Sequence, residues 1–194
     1  ALAHNAGRAR RLAGDAELFA MVKANGYGHG LLTAAQAMAP AVEGFGVAVM
    51  EEAVALRDSG IAGPILVAEG FFDADELEHA RRRSLEVVVH SLWQVQLLLA
   101  KPAPTRIWLK LNTGMNRLGL RPEWALQAAE QLAAAGMKPL GIMSHFACAD
   151  DATDSVSEKQ LLLAAEVAQR LQLPLSTANS AALIRYPHAR GQRV

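Results

Sequence analysis

Lys23 stands directly after a short apolar run, Leu18 to Val22, whose length is typical of a buried strand. A lysine at the end of such a strand is unusual, because an unpaired ammonium group is costly to desolvate. Burial lowers the pKa of a lysine, and the neutral amine is the nucleophile that forms Schiff bases. The glycines that follow, Gly26, Gly28 and Gly30, let the backbone come close to a bulky ligand. Lys23 is therefore a candidate nucleophile, against the alternative of a solvated lysine beside an ordinary glycine turn.

Three further polar groups follow later predicted strands. Arg117 lies in a glycine-containing loop that continues from the strand ending near Lys110, and His145 follows the next strand. The stretch from Thr177 to Ala182 closes a strand and opens a helix with small polar residues, whose hydroxyl and backbone N–H groups suit a phosphate. The alternatives are a solvated arginine, a core or surface histidine and an ordinary helix cap, although a cap and a phosphate site can coexist.

The string VKANGYGHG at residues 22–30 resembles the pyridoxal 5'-phosphate (PLP) lysine motif of alanine racemases, and TGMNRLG at 113–119 resembles their TGM-x-R-LG run. The resemblance implies that Lys23 carries PLP as an imine and that Tyr27 contacts the PLP phosphate. It also implies that Arg117 hydrogen-bonds the PLP phenolic oxygen and helps to hold the substrate carboxylate, and that His145 stacks on the pyridine ring. The remaining positions that match the family's phosphate site are Asn179 and Ser180.

Lys110 matches a lysine that is carbamylated in some members of the family, where the resulting anion orients the arginine. The alternative is an unmodified lysine paired with an acid. The resemblance makes Lys23 and Arg117 the predicted catalytic residues. Lys110 is a possible carbamylated lysine beside them.

The resemblance further implies an alanine racemase that interconverts L- and D-alanine through a PLP external aldimine by a two-base mechanism, for peptidoglycan synthesis or D-alanine catabolism. Lys23 would be one base, and a tyrosine from a C-terminal domain of the partner subunit would be the other, so a homodimer is expected. A serine or lysine racemase of the same fold is the first alternative. A non-catalytic PLP-binding carrier is the second, although such proteins lack the Asn-Gly-Tyr-Gly-His-Gly tail of the lysine motif.

The elements that must position these residues alternate between strands and helices, and we count seven predicted strands along the 194 residues. Such alternation predicts parallel βαβ units and favours an α/β fold, an incomplete (β/α)8 TIM-type barrel. A doubly wound open sheet has the same local pattern, but no GxGxxG follows the first strand. We therefore predict one truncated PLP-binding barrel domain over residues 1–194, with an open sheet edge and a C-terminal β domain outside this chain.

Local signals set the helix starts and the expected partners. Capping boxes are predicted for Asp73 with Glu76, for Ser91 with Gln94 and for Ser155 with Glu158, at the starts of three helices. The 19 basic and 19 acidic residues balance, which argues against a nucleic-acid or membrane surface as partner and leaves a small-molecule substrate. No metal-ligand spacing appears. The single cysteine, Cys148, excludes an internal disulfide framework and suits the cytoplasm.

Overall fold

The computed structural model describes residues 1–151, 153 and 155–194 of the chain. Their backbone forms one parallel sheet of seven strands, which are hydrogen-bonded in chain order from the first to the seventh. The strands are β1 Phe19–Met21, β2 Gly44–Val47, β3 Ile65–Val67, β4 Glu86–Val89, β5 Arg106–Lys110, β6 Gly141–Met143 and β7 Leu175–Ser176. This order confirms the predicted incomplete (β/α)8 barrel, because a doubly wound sheet would reverse its strand order.

Helices connect successive strands and cover the outer face of the sheet. They are α1 Leu2–Ala13, α2 Lys23–Tyr27, α3 Leu31–Met38, α4 Met50–Asp58, α5 Ala74–Arg82, α6 Leu92–Ala100, α7 Pro122–Ala134, α8 Val156–Leu171 and α9 Ser180–Arg185, with 3₁₀ turns at Ala39–Ala41 and Pro187–Ala189. Helix α7 begins at Pro122, which suits the first helical position because it lacks an N–H group, and it ends shortly before Gly136, whose φ is 78°. Within the described part of the chain, no helix combines the length and the apolar character needed to cross a bilayer.

The side chains of the sheet alternate between two separate apolar clusters, since successive residues of a strand point to opposite faces. Outward residues such as Val47, Ile107 and Leu109 pack with helix residues into the main core. Inward residues Leu66, Val88 and Trp108 form a second cluster, against which Phe19, Leu140 and Met143 pack. The second cluster fills the interior of the barrel.

Two inward-facing glycines make room for the large rings of that interior. A Cβ atom at Gly44 would lie 2.6 Å from the ring of Phe19, and a Cβ atom at Gly141 would lie 2.3 Å from the ring of Trp108. Alternation of small and large residues in this way lets side chains from neighbouring strands share one layer. Strand β1 is less enclosed than the sequence predicts, because Met21 is 37% exposed.

The two outer strands of the sheet are joined by residues 192–194, contrary to the predicted open edge. Gln192 N donates to Leu175 O (3.1 Å), which attaches the segment to β7. Val194 N donates to Glu17 O (2.8 Å), and Phe19 N donates to Val194 O (2.7 Å), which attaches it to β1. Parallel bridges of Arg193 to both Glu17 and Ser176 complete the closure. The segment therefore pairs as the start of an eighth strand at the amino-terminal end of the barrel.

Arg193 secures this closure from inside the barrel. Its Nε atom donates to Glu17 Oε2 (2.8 Å), and its Nη1 atom donates to Glu86, which is fully buried. Glu86 also accepts from Arg106 Nη2 (2.7 Å) and from Trp108 Nε1 (2.8 Å). A buried carboxylate needs such a set of partners, because leaving it unpaired would cost several kcal/mol.

One of the three predicted capping boxes forms in part. Asp73 accepts from Glu76 N (2.8 Å) at the start of α5, as predicted, but the Glu76 side chain accepts from Phe72 N and not from Asp73 N. The prediction for Ser91 is wrong, because Gln94 accepts from His90 N instead (2.8 Å). The prediction for Ser155 is also wrong. Its backbone, with φ −93° and ψ 0°, is not extended, and its side chain makes no capping bond.

Candidate active site

The predicted site residues converge on the carboxyl-terminal edge of the parallel sheet. Lys23 lies two residues after the end of β1, Lys110 is the last residue of β5, His145 lies two residues after the end of β6, and Ser180 opens α9 after β7. The carboxyl ends of parallel strands meet at one edge, which is where the active sites of (β/α)8 barrels lie. Four separate stretches of the sequence therefore contribute to one candidate site.

Electrostatic coupling links His145 to three cationic side chains. Burial is the largest cause that lowers the pKa of His145 to about 4, and the charges of Lys110, Arg117 and Lys23 lower it further. Lys23, Lys110 and His145 lie at the carboxyl ends of strands on the same edge of the sheet, and the Arg117 loop leaves that edge after β5. With its lowered pKa, the imidazole ring is neutral at physiological pH.

Lys110 has an unusual charge state for a lysine. Burial is the first cause that lowers its pKa to about 8, the charges of Arg117 and Lys23 lower it further, and Glu69 raises it. With that pKa, a much larger share of the Lys110 side chains is neutral near neutral pH than for an ordinary lysine. The neutral amine is nucleophilic, so the side chain can react with a small electrophile.

The short element α2, which begins at Lys23, is a left-handed turn and not a regular right-handed helix. The φ angles are 52° at Ala24, 53° at Asn25, 64° at Gly26 and 53° at Tyr27. Only glycine adopts this region without cost, and other residues lose roughly 1–2 kcal/mol each. The strain must therefore be balanced by interactions that hold the turn.

Asn25 supplies most of those interactions. Its Oδ1 atom accepts from Leu31 N (2.9 Å), its carbonyl oxygen accepts from Gly30 N (2.9 Å), and its own N–H donates to Glu52 Oε1 (3.3 Å). Asn25 is thereby tied to the start of α3 and to the first turn of α4. The turn leaves the side chain of Tyr27 61% exposed, so its phenol is accessible to a ligand.

Arg117 lies on a loop that leaves β5 and returns to it. Leu120 N donates to Lys110 O (2.8 Å), and Asn112 N donates to Leu120 O (2.9 Å), so both ends of the loop are fixed to the strand end. Inside the loop, Asn112 Oδ1 accepts from Asn116 N (3.0 Å). The guanidinium of Arg117 is exposed at the site, where its planar fork can bind an anionic group by two parallel hydrogen bonds.

The opposite side of the site is formed by the start of α9. Asn179 Oδ1 accepts from Ala182 N (3.0 Å), so Asn179 is the helix cap that the sequence allowed. Ser180 is the first residue of the helix and is exposed. A hydroxyl and unpaired backbone N–H groups at this position suit an anion.

Sequence analysis missed two titratable residues beside the cluster, Glu69 and His90. They follow β3 and β4, and His90 Nε2 lies 3.1 Å from Glu69 O. Burial is the largest cause that lowers the pKa of His90, the backbone hydrogen bond to Glu69 opposes it, and Lys110 lowers it further. Neither residue belongs to a recognisable motif. The available signal was their position directly after buried strands, as for Lys23 and Lys110.

The chemistry of these side chains fits PLP. Lys23 supplies an amine for the aldehyde, a neutral His145 supplies a flat uncharged ring, and Arg117 supplies a fork for an anionic oxygen. The exposed hydroxyl groups of Tyr27 and Ser180 suit the phosphate. The positive charge of Lys23, Lys110 and Arg117 also complements an anionic cofactor and a carboxylate substrate.

Comparison with known sequences agrees with the geometry. The family model of the alanine racemase N-terminal domain matches residues 1–194. The chain is 70% identical over 194 residues to an alanine racemase of Alcanivorax borkumensis, and the match covers 100% of the chain and 55% of the relative. It is 42% identical over 190 residues to an alanine racemase of Pseudomonas entomophila, covering 96% of the chain and 53% of the relative. The chain therefore spans about half the length of the curated relatives it matches.

Solved structures give the same result. A biosynthetic alanine racemase from Pseudomonas aeruginosa superposes with a TM-score of 0.94 at 36% identity, covering 100% of this chain and 55% of that chain. An alanine racemase from Acinetobacter baumannii superposes with a TM-score of 0.91 at 31% identity, with the same coverage of 100% and 55%.

Proposed function

Since the chain belongs to the family of alanine racemase N-terminal domains, we propose that the protein carrying it is a PLP-dependent alanine racemase, an isomerase that interconverts L- and D-alanine. The observation that carries the proposal is the cluster of Lys23, Lys110, Arg117 and His145 at the carboxyl edge of the barrel, whose charges act on one another. Two lysines and an arginine with so little negative charge among them suit an anionic cofactor and an amino-acid carboxylate.

Each side chain has a distinct part in the proposal. Lys23 Nζ would hold PLP and would take or return the proton on the Cα atom of alanine. Arg117 binds the phenolic oxygen of PLP and the substrate carboxylate. PLP, when bound, supplies an electron sink for the carbanion at that Cα atom. The proton therefore moves at a Cα atom that Arg117 orients relative to Lys23.

The remaining residues hold the cofactor. His145 covers one face of the pyridine ring and stays uncharged there, because its pKa is about 4. Tyr27 and Ser180 bind the phosphate with their hydroxyl groups, and Asn179 lies beside them while it caps α9. Stacking and phosphate contacts position the ring without taking part in proton transfer.

Membership of the family supports extending the proposal to the whole protein. Residues 1–194 form the PLP-binding barrel domain, and a further β domain of the partner subunit provides the second base on the opposite face of the substrate. The protein then acts as a cytoplasmic homodimer that supplies D-alanine for the cell wall or consumes it. Alanine is the proposed substrate, and serine and lysine are the alternatives that an assay must compare.

The proposal is tested through Lys23 in the intact protein. We expect borohydride treatment of the PLP-loaded protein to attach the cofactor to Lys23, and Lys23→Ala to lose both the attachment and the racemisation of alanine. Lys101→Ala and Lys138→Ala, at exposed lysines far from the carboxyl edge, are the matched controls. Attachment at another lysine, or faster racemisation of serine or lysine than of alanine, would overturn the assignment. Cofactor attachment without any racemisation would favour a carrier protein.

We further propose that Lys110 is carbamylated. Its neutral Nζ atom attacks the carbon of CO2, an N–C bond forms, and one proton is released to leave a carbamate anion. The anion would replace one of three mutually repelling cations by a partner for Arg117, and the pKa of about 8 provides the neutral amine that the reaction requires.

Carbamylation is measured by ¹³C NMR after incubation with ¹³C-bicarbonate. We expect a carbamate signal that is present in the wild type, increases between about pH 7 and pH 9 as Lys110 loses its proton, and is absent from Lys110→Met. Lys101→Met serves as the control. A signal that persists in Lys110→Met would assign the carbamate to another amine, and no signal in the wild type would leave Lys110 as an unmodified lysine near Glu69.

A further inference from the structure

Gln160 is a buried polar residue on α8 that connects two loops of the candidate site. The residue is only 1% exposed. Its Nε2 atom donates to Thr113 Oγ1 (3.2 Å) and to His145 O (3.1 Å), and its Oε1 atom accepts from Ala147 N (3.0 Å). One amide group therefore binds the loop after β5 and the loop after β6 at the same time.

A chain of hydroxyl groups continues the connection back to β5. Ser144 Oγ donates to Leu111 O (3.3 Å), so its second contact, with Thr113 Oγ1 at 2.7 Å, is one that it accepts. Thr113 then donates to Ser144 and accepts from Gln160, which gives every hydroxyl one donor and one acceptor role. The hydrogen bonds run in one direction from α8 to the end of β5, and partly buried hydrogen bonds in such a chain polarise and strengthen one another.

We propose that Gln160 is a positioning residue, which sets the Arg117 loop and the His145 loop at a fixed separation across the site. Thr113 begins the loop that carries Arg117, and the other end of this loop is already fixed to β5 by Leu120. Holding Thr113 therefore adds a side-chain contact from α8 to the start of the loop, beyond the two backbone bonds that fix its ends to the strand. The bonds to His145 O and Ala147 N fix the backbone on both sides of Phe146, and with it the direction of the imidazole ring.

This inference rests on the proposed function for its consequence in catalysis. Arg117 and His145 are proposed to contact different parts of one rigid cofactor, so their separation decides whether both contacts form. A misplacement of about 1 Å can cost about 10²-fold in rate. Gln160 does not touch the cofactor in this proposal, and its effect is transmitted through Thr113 and the backbone of His145.

A second buried glutamine provides a matched control. Gln94 on α6 is also inaccessible to solvent, and it binds the loops after β3 and β4 by accepting from His90 N (2.8 Å) and donating to Phe71 O (3.2 Å). Gln94→Leu and Gln160→Leu each remove a buried amide from the inner side of a helix. Only the latter removes contacts to the loops of Arg117 and His145.

The test uses the intact protein. It first measures the pKa of His145 without cofactor, and then the activity of the PLP-loaded enzyme. By NMR, we expect Gln160→Leu to raise the pKa of His145 from about 4 towards its ordinary value, because a loosened loop exposes the ring to water. Gln94→Leu should leave the pKa of His145 low. In the loaded enzyme, Gln160→Leu should lower kcat for alanine about 10- to 100-fold, and PLP should dissociate more readily.

Further variants keep the proposal testable if Gln160→Leu does not fold. Thr113→Val keeps the shape of the side chain and removes the hydroxyl from the chain of bonds, so it should reproduce part of both effects, while Gln160→Glu keeps the acceptor for Ala147 N and loses both donors. An unchanged pKa of His145 together with wild-type kcat in the folded variants would overturn the proposal. If the wild type does not racemise alanine, the proposed function fails, but the pKa measurement still decides whether Gln160 positions His145.

Discussion

His145 is held in its uncharged form by its surroundings. Burial contributes most to its pKa of about 4, and Lys110, Arg117 and Lys23 add to the effect. A neutral ring can stack on a planar pyridine without adding a fourth positive charge to the cluster. The same surroundings make folding sensitive to acid, because the unfolded chain binds a proton at this histidine more readily than the folded chain does.

Replacing His145 by Gln should therefore reduce the acid sensitivity of the fold. The pKa of His145 is about 4 in the folded chain against 6.5 as its ordinary value, so the unfolded state binds more protons between these pH values. The free energy of unfolding of the wild type falls as the pH drops through this window, and the histidine adds no pH dependence above it. Urea unfolding of both proteins at about pH 4.5 and about pH 7.5 measures the difference.

The exposed His4 offers the control for this measurement. His4→Gln should lose stability on acidification as steeply as the wild type. Equal steepness in His145→Gln would mean that His145 titrates normally in the folded chain, contrary to the expected burial of its ring.

The predicted site residues share one property. Each is a chemically suitable residue that stands in a distinctive sequence motif. Lys23 and Arg117 lie in such motifs, and the structure brings both to the same edge of the barrel. Gln160 could not be predicted in this way, because its role depends on which face of α8 meets the loops. A polar residue within a helical run is compatible with either a solvated or a buried position, and only tertiary packing decides between them.

At the scale of elements, apolar runs predicted the strands better than capping signals predicted the helix starts. Strands β3 and β4 coincide with short runs that are rich in β-branched residues. A capping box also depends on competing partners, some of which are distant in sequence. The side chain of Gln94 accepts from His90 N and donates to the loop after β3, while Glu158 pairs with His188 (3.0 Å).

The left-handed turn after Lys23 is a backbone conformation that the sequence predicts only in part. Glycine at 26 was a signal for positive φ, but Ala24 and Tyr27 adopt positive φ without any such signal. The conformation is imposed by Asn25, which binds the start of α3 and the first turn of α4. Strained backbone of this kind persists where surrounding contacts outweigh it, and it occurs often at functional sites.

At the scale of the whole molecule, the barrel is closed by a charged group in its interior. Arg193 lies between the rings of Phe19 and Trp108, 4.0 Å and 4.5 Å from their centres, while it pairs with Glu17 and Glu86. The sequence indicated a missing strand at this place but could not reveal the closure. The reason is that the partners of Arg193 lie on β4 and before β1, far away along the chain.

Arg193→Met should destabilise the fold strongly. Glu86 would keep Arg106 and Trp108 as partners but would lose its most buried cation, and removing one member of a buried pair costs about 3–5 kcal/mol. Denaturant unfolding of the intact protein measures the loss. The double variant Arg193→Met with Glu86→Gln should recover part of it, because the neutral amide at position 86 no longer needs a buried cation as partner. Losses that simply add, or a single-variant loss below about 1 kcal/mol, would contradict a coupled buried pair.

The strand order has a consequence for how the protein reaches its native state. Strands β1 to β7 each pair with the next strand along the chain, so six of the interfaces form between segments close in sequence. The contact of Arg193 with Glu17 spans 176 residues. Bringing such distant residues together carries the largest loop-closure entropy in the sheet. The sheet is therefore expected to grow from neighbouring βα units, with the barrel closing as the last and slowest step.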